Sequence, residues 1–384
     1  MKTKAGGFAT RVLAVGLGVG AAGVAGCTVE NPAYDPPSAT CAVGEYFVGQ
    51  TFTVAAPNKL DILFVVDNSS GMQQAQQALA AAMPTLVDGL NAVAGLDWRL
   101  GVTSTDLADQ GALVRGGGGR EECGGLDAAF VSRDTADPAR AAGCAVLIGA
   151  DGSAFTQGLE TARRALDGGA TYLRSDARLM LVFFSRRDDC TATAALDRSD
   201  PNNCVWQPSA LVGAADYARH FASTARPLAG NAVSIVTIVG QPDGRTFAPG
   251  VAPSPVCSAL GDAYAGSRYA SLTTVEPVKR VSLFESFCAT SYAPTMSRIV
   301  DVAARVSDDE LCVSLPMSGD PQAVLLRGSD GSQTALSAAG DYWATGPTEG
   351  CANGVVAVAA ASHAASDRHE FEVRFCTAQN PAAP

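Results

Sequence analysis

The stretch Lys59-Leu-Asp-Ile-Leu-Phe-Val-Val-Asp-Asn-Ser-Ser-Gly-Met72 decides the fold of this chain. Residues 59–66 form a nearly continuous apolar run, which is typical of a strand buried on both faces, as in a parallel sheet. Asp67 ends the run, and polar residues separate it from a helical pattern. One apolar stripe in that pattern predicts a helix, kinked or interrupted at Pro84; its members are Met72, Ala75, Leu79, Ala82 and Leu86.

The same alternation of strand and helix continues along the chain. Apolar runs predict further strands, and apolar stripes predict helices starting near Phe155, Leu211 and Met296; the strand segments are 98–104, 179–184 and 233–239. We therefore expect an α/β domain at residues 57–307, with a doubly wound, mostly parallel sheet and helices on both faces, as in Rossmann-like folds.

Residues 308–384 have a different pattern. Short segments with alternating apolar residues are separated by Gly, Asp and Pro, which predicts a small β-rich domain. The candidate strands are 312–315, 323–327, 333–337, 354–361 and 369–376.

The first residues have the pattern of an export signal. Lys2, Lys4 and Arg11 precede an uncharged apolar segment that ends in Val24-Ala25-Gly26-Cys27. This ending resembles the lipobox of bacterial lipoproteins, which implies a signal peptide at 1–26 and lipid on Cys27. The alternative is an ordinary secretory signal, with Cys27 incidental.

Residues 27–56 then form the lipid anchor, a tether and a lead-in to the first domain. Thr28–Thr40 contains three prolines, which favour an extended chain. By analogy with the sorting rule of enteric bacteria, Thr28 after the lipidated cysteine favours the outer membrane. The predicted location is the cell envelope, with the protein held by its lipid.

The chain has eleven cysteines, and lipidation of Cys27 leaves ten. An even number in an exported chain predicts five disulfides, because no two cysteines have the close spacing of a zinc site. Neighbour spacing predicts Cys123–Cys144, Cys190–Cys204 and Cys257–Cys288. An expected hairpin of 354–361 with 369–375 would pair Cys351 with Cys376, which leaves Cys41 for Cys312.

The segment from Asp61 to Met72 resembles the first strand and metal loop of a von Willebrand factor type A (VWA) domain. The resemblance covers roughly residues 57–307. It is closest to bacterial secreted or lipid-anchored proteins whose loops are closed by disulfides. It implies an Asp-x-Ser-x-Ser loop whose oxygens bind Mg²⁺, with an acidic residue of a partner protein completing the metal shell. Asp67 and Ser69 match this loop, and Ser153 takes the position of the family's threonine, with Thr156 as the alternative.

Two positions depart from the family pattern. Gly71 replaces the second serine, although Ser70 is adjacent, and Arg186 stands where related chains have an acidic residue. A guanidinium cannot ligate a cation and repels it, so we expect Arg186 to fill the cation's space and pair with Asp67. No cofactor is expected, and Mg²⁺ or Ca²⁺ at this degenerate loop is the alternative. Asp188 and Asp189 are interpreted as a solvated pair, with a cation site as the alternative.

Composition narrows the function classes. The net charge of −11 argues against a nucleic-acid partner. Three widely spread histidines and the absence of a nucleophile motif argue against an enzyme. The resemblance implies a non-enzymatic lipoprotein that binds another envelope or extracellular protein, in adhesion or envelope interaction. The alternative is a structural or assembly scaffold without metal-dependent binding.

Overall fold

The computed structural model describes most of the chain after residue 40. The described residues are 41–54, 56–114, 123, 130–168, 173–193, 195–223, 232–275, 282–304, 309–327, 332–338, 340–348, 351–359 and 369–381. The predicted signal peptide, the lipidation site Cys27 and the Pro-rich tether lie outside them. Within the described part, every helix is too short or too polar to cross a membrane.

The centre of the chain forms a six-stranded, mostly parallel sheet in the order β4-β3-β2-β5-β6-β7. Only the short edge strand β4 is antiparallel to its neighbour. The apolar run around residue 62 is the central strand, β2, as its sequence predicted. The strands are β2 (Ala56–Val66), β3 (Asp97–Ser104), β4 (Val131–Ser132), β5 (Ala177–Phe184), β6 (Val233–Val239) and β7 (Leu283–Ser286).

Helices cover this sheet. They are α1 (Gln73–Ala92), α2 (Pro138–Ala145), α3 (Gly158–Asp167), α4 (Asn203–Trp206), α5 (Ala214–Ser223), α6 (Ser267–Leu272) and α7 (Ala293–Ala304). The helix α1 runs through Pro84 and is not interrupted there. Residues on both sides of the proline, such as Leu79 and Leu90, are fully buried and keep both halves of the helix on the sheet.

Alternate side chains of β2 enter two separate cores. Phe64 points into a core shared with α1 and α7, whereas Leu63 points into a core shared with α3 and α5. Successive side chains of a strand face opposite sides of the sheet, so helices lie on both faces. A strand buried in this way requires apolar residues at every position, which is the pattern that the sequence shows.

The remaining strands form two antiparallel sheets with a common apolar core. One sheet has the order β1-β13-β9-β10 and the other β11-β12-β8. Phe52, Val356 and Phe371 are among the residues buried between them. The strands are β1 (Tyr46–Val54), β8 (Asp309–Cys312), β9 (Ala323–Arg327), β10 (Gln333–Ala335), β11 (Tyr342–Thr345), β12 (Val355–Val358) and β13 (His369–Thr377).

The strand β1 corrects the predicted lead-in. Residues 46–54 are part of the β region, because they pair along their whole length with β13 at the other end of the chain. The inward positions Phe52 and Val54 alternate with exposed polar residues, which is the period of a half-buried strand. The α/β region is thus inserted between two strands of the β region.

Five disulfides are present among the described residues, and three of them match the predicted pairs. The predicted pairs Cys351–Cys376 and Cys41–Cys312 are wrong. The bonds are Cys41–Cys376 and Cys312–Cys351. The expected hairpin does not form, because β12 and β13 belong to different sheets. Each bond instead joins the ends of two neighbouring strands, β1 with β13 and β8 with β12.

Candidate functional site

The candidate site lies at the carboxyl ends of the parallel strands, where α/β folds bind ligands. Asp67 directly follows β2 and is fully buried. Its Oδ1 accepts a hydrogen bond from the backbone NH of Ser69 at 2.8 Å. Its Oδ2 accepts from the hydroxyl of Ser185 at 2.9 Å and from the backbone NH of Arg186 at 3.2 Å. Protein donors therefore satisfy both carboxylate oxygens without an ion.

Of the other predicted ligands, Ser69 contacts this aspartate, and Ser153 and Thr156 lie in a neighbouring loop. Ser69 pairs with Gly152, the residue before Ser153, in an isolated parallel bridge. The hydroxyl of Ser153 accepts a hydrogen bond from the backbone NH of Phe155, and the hydroxyl of Thr156 donates to a backbone carbonyl. The hydroxyl of Ser69 is buried without a hydrogen-bond partner, as a free ligand oxygen would be.

Arg186 closes the loop in a way that the sequence did not reveal. Its guanidinium Nη1 donates to the backbone carbonyl of Ser70 at 2.6 Å. The predicted pairing of this guanidinium with the Asp67 carboxylate is therefore wrong. The guanidinium lies directly over Gly71, where a Cβ atom would overlap Nη1. Gly71 also has a φ of +92°, in the region that favours glycine.

These residues do not fit an Mg²⁺ or Ca²⁺ ion held as the resemblance implies. Gly71 offers no side-chain oxygen, and the guanidinium of Arg186 brings a positive charge to the position of Gly71. Mg²⁺ demands a near-ideal octahedron of oxygens, and a guanidinium fixed over Gly71 repels a cation and leaves no room for that arrangement. A second group of ligand-type side chains within the described residues contains Cys41 and Cys376, but these are bonded to each other.

Asp188 and Asp189 are structural residues and not the solvated pair that was expected. The Asp189 carboxylate accepts from the backbone NH of Leu159, at the start of α3, and from the guanidinium of Arg268 at 3.1 Å. The Asp188 carboxylate accepts from the backbone NH groups of Arg268 and Tyr269, near the start of α6. Burial raises the pKa of Asp188 to about 7, although the hydrogen bond and charge of Arg268 oppose the rise.

A groove of about 440 Å³ opens beside the loop after β5, which carries Arg187, Asp188 and Asp189. Three aromatic side chains and several arginines line it, and sequence analysis had assigned none of them a role. The lining includes Arg187, Val205, Trp206, Arg245, Phe247, Tyr264 and Arg268.

Two of the predicted disulfides build the groove's walls. Cys190–Cys204 ties α4, which carries Trp206, to the loop after β5. Cys257–Cys288 ties the loop after β6, which carries Tyr264, to the residues after β7. The cysteine spacing was therefore the one signal in the sequence that pointed to these loops.

Comparison with known proteins gives only distant structural neighbours. No family model matches the chain, and no curated protein matches it. Among solved structures, proximal thread matrix protein 1 from the mussel byssus is 12% identical, with a TM-score of 0.33, over 69% of this chain and 50% of that protein. The pilus adhesin SpaC from Lactobacillus rhamnosus GG is 11% identical, with a TM-score of 0.34, over 87% and 41% of the two chains.

A third neighbour is the human COPII-coat protein Sec24c, which is 12% identical with a TM-score of 0.37, over 85% of this chain and 41% of its own. The chain thus spans half or less of the length of these proteins. All three scores are below 0.5, and no function is carried over from them.

Proposed function

We propose that this chain is a lipid-anchored, non-enzymatic protein of the cell envelope, held in the outer membrane through Cys27. Its α/β domain, a doubly wound domain of VWA type, binds another envelope or extracellular protein through the loops at the carboxyl ends of its sheet. The observation that carries this proposal is the groove beside the loop after β5, whose aromatic residues lie on loops held by two disulfides. Aromatic side chains in a preformed depression are typical of the centres of protein interfaces.

The chemistry of the described residues supports binding over catalysis. The ring nitrogen of His220 faces Asp167 at 3.0 Å on the helical surface. Within the described part of the chain, no serine, threonine or cysteine side chain shares a hydrogen bond with His220. A nucleophile activated by histidine requires such a neighbour.

A second candidate function, a structural scaffold, is favoured by the surface of the β region. Tyr46, Phe47 and Trp343 are 42%, 47% and 44% exposed. They lie on β1 and β11, which are edge strands of the two sheets. Edge strands with exposed aromatic residues are suited to docking against another protein.

Photo-cross-linking in the native envelope separates these two functions. A photoreactive phenylalanine replaces Val205, which is 38% exposed at the groove, or Trp343 on the β region. The same residue at Arg219, an exposed position on α5, is the control. We expect a single adduct of defined mass from position 205, with the same yield in EDTA.

Adducts from position 343 alone would support the scaffold function. The absence of adducts from both positions, with the protein correctly localised, would contradict both functions.

A further inference from the structure

Two guanidinium groups face the same aromatic ring at the edge of the groove. The Cζ atom of Arg187 lies 5.1 Å from the ring centroid of Tyr264, and that of Arg186 lies 5.9 Å from it. Arginine groups at these distances are attracted to the ring by its quadrupole. The ring therefore holds two positive charges close together without neutralising either of them.

Neither of these guanidinium groups has an acidic partner within the described residues. Arg186 donates Nη1 to a backbone carbonyl, and its Nε is buried without an acceptor. The other arginines at the groove are neutralised: Arg245 pairs with Asp243, and Arg268 pairs with Asp189. Two guanidinium groups without an acidic partner thus lie side by side in a chain whose net charge is −11.

The backbone holds this pair of arginines in place. The carbonyl of Arg186 accepts a hydrogen bond from the backbone NH of Tyr264 at 2.8 Å. The backbone NH groups of Arg186 and Arg187 donate to Asp67 and to the hydroxyl of Ser185. The site is thus organised before any ligand arrives, which reduces the entropy lost on binding.

We propose that Arg186 and Arg187 bind a carboxylate of the partner protein directly, without a metal ion. This proposal rests on the protein-binding function above and names the chemistry of the partner. Guanidinium donors match a carboxylate in charge and geometry, and such hydrogen bonds are stronger than neutral ones.

The adjacent groove adds a second requirement to the partner. Val205, Trp206 and Phe247 line it together with Arg187 and Tyr264, so an apolar side chain next to the carboxylate can be buried there. The indole NH of Trp206 donates to the backbone carbonyl of Val251 at 2.9 Å, which fixes this wall. The ligand is therefore a peptide segment with Asp or Glu beside an aromatic or large aliphatic residue.

Selection from random peptides tests this directly. The lipid-free chain from Thr28, with its disulfides formed, is immobilised in EDTA and used to select from a phage library of random peptides. We expect the selected peptides to be enriched in Asp or Glu next to an apolar residue. For a selected peptide made synthetically, replacing its acid by the matching amide is expected to weaken binding about ten-fold or more.

Matched variants of the protein identify the groups that bind. The double variant Arg186→Gln with Arg187→Gln is expected to weaken binding of the same peptide by about ten-fold or more. The control variant Arg219→Gln on α5 leaves the binding of this peptide unchanged. Arg187→Lys keeps the charge but not the planar donors, and an intermediate loss is expected. Circular dichroism of each variant checks that it is folded.

The outcomes separate this inference from the binding function itself. Peptides that need Trp206 but lack an acid, or that bind the double glutamine variant equally well, overturn the carboxylate site and leave the binding groove intact. A requirement for divalent cations overturns it as well. If no peptide is enriched, the carboxylate site is wrong, and cross-linking from position 205 decides the binding function separately.

Discussion

Removal of the Asp189 carboxylate is expected to destabilise the α/β domain strongly. The side chain is almost completely buried and is the common acceptor for three parts of the site. Oδ1 accepts from the backbone NH of Leu159 and from the hydroxyl of Thr191, and Oδ2 accepts from the backbone NH of Thr191 and from Arg268. Asp189→Ala leaves all of these donors without their acceptor.

The size of this destabilisation follows from the burial of the ion pair between Asp189 and Arg268. Breaking a buried ion pair by removing one partner costs about 3–5 kcal/mol, because the remaining charge is left uncompensated. The Arg268 side chain retains a hydrogen bond to the Val212 carbonyl and is 18% exposed, so water partly solvates it. We therefore expect a loss of about 3–4 kcal/mol in the free energy of unfolding, near the lower end of that range.

Urea unfolding followed by tryptophan fluorescence measures this loss. A Trp343→Phe background removes the tryptophan of the β region, so the signal comes from Trp98 and Trp206 in the α/β domain. Asp216→Ala is the matched control, since this carboxylate is 62% exposed in a surface pair and should cost less than about 1 kcal/mol. A loss below about 1 kcal/mol for Asp189→Ala would refute the reasoning.

Three further outcomes are expected. Millimolar Mg²⁺, Ca²⁺ or Mn²⁺ should leave the melting temperature unchanged, since an ion that does not bind the native state cannot stabilise it; a rise of several degrees that Asp67→Ala abolishes would contradict this. Because the pKa of Asp188 is raised to about 7, its contribution to stability is full below pH 3.8 and is lost as the pH rises through 7. Relative to Asp188→Asn, the wild type should therefore lose unfolding free energy between these limits, on the order of a few kcal/mol, as measured by urea titration at each pH; parallel pH profiles would refute it. Mass spectrometry of the protein from its membrane should show an acylated peptide starting at Cys27, and an unmodified peptide that starts elsewhere would show that the lipobox reading is wrong.

The sequence predicted the features that depend on local patterns. Continuous apolar runs identified the central strands of the sheet, because strands covered on both faces need apolar residues throughout. Cysteine spacing identified the bonds that close a single loop, such as Cys190–Cys204. The bonds Cys41–Cys376 and Cys312–Cys351 depend on which distant strands become neighbours, and spacing carries no information about that.

The candidate site shows the same difference between features set by local sequence and features set by tertiary structure. The sequence placed Arg186 beside Asp67, but the partner of its guanidinium is the carbonyl of Ser70, and a backbone carbonyl has no sequence signature. Asp188 and Asp189 were interpreted as a solvated loop pair because adjacent acidic residues in a loop are usually exposed to solvent. Asp189 is buried and Asp188 is half-buried because the starts of α3 and α6 converge on them, a tertiary arrangement that local composition does not encode.

The insertion of the α/β region between β1 and β8 determines how the protein carries tension. A pull on residue 41 reaches β13 as well as β1, because Cys41 is bonded to Cys376. The nine residue pairs of the β1–β13 ladder are then loaded together along their length, and the bond prevents the strands from sliding apart. Since β1 ends at Val54 and β2 begins at Ala56, the load passes into the central strand of the α/β sheet with almost no extensible chain between. In the proposed function, a partner held at the groove would therefore be connected to the lipid-anchored end of the chain through two stiff elements in series.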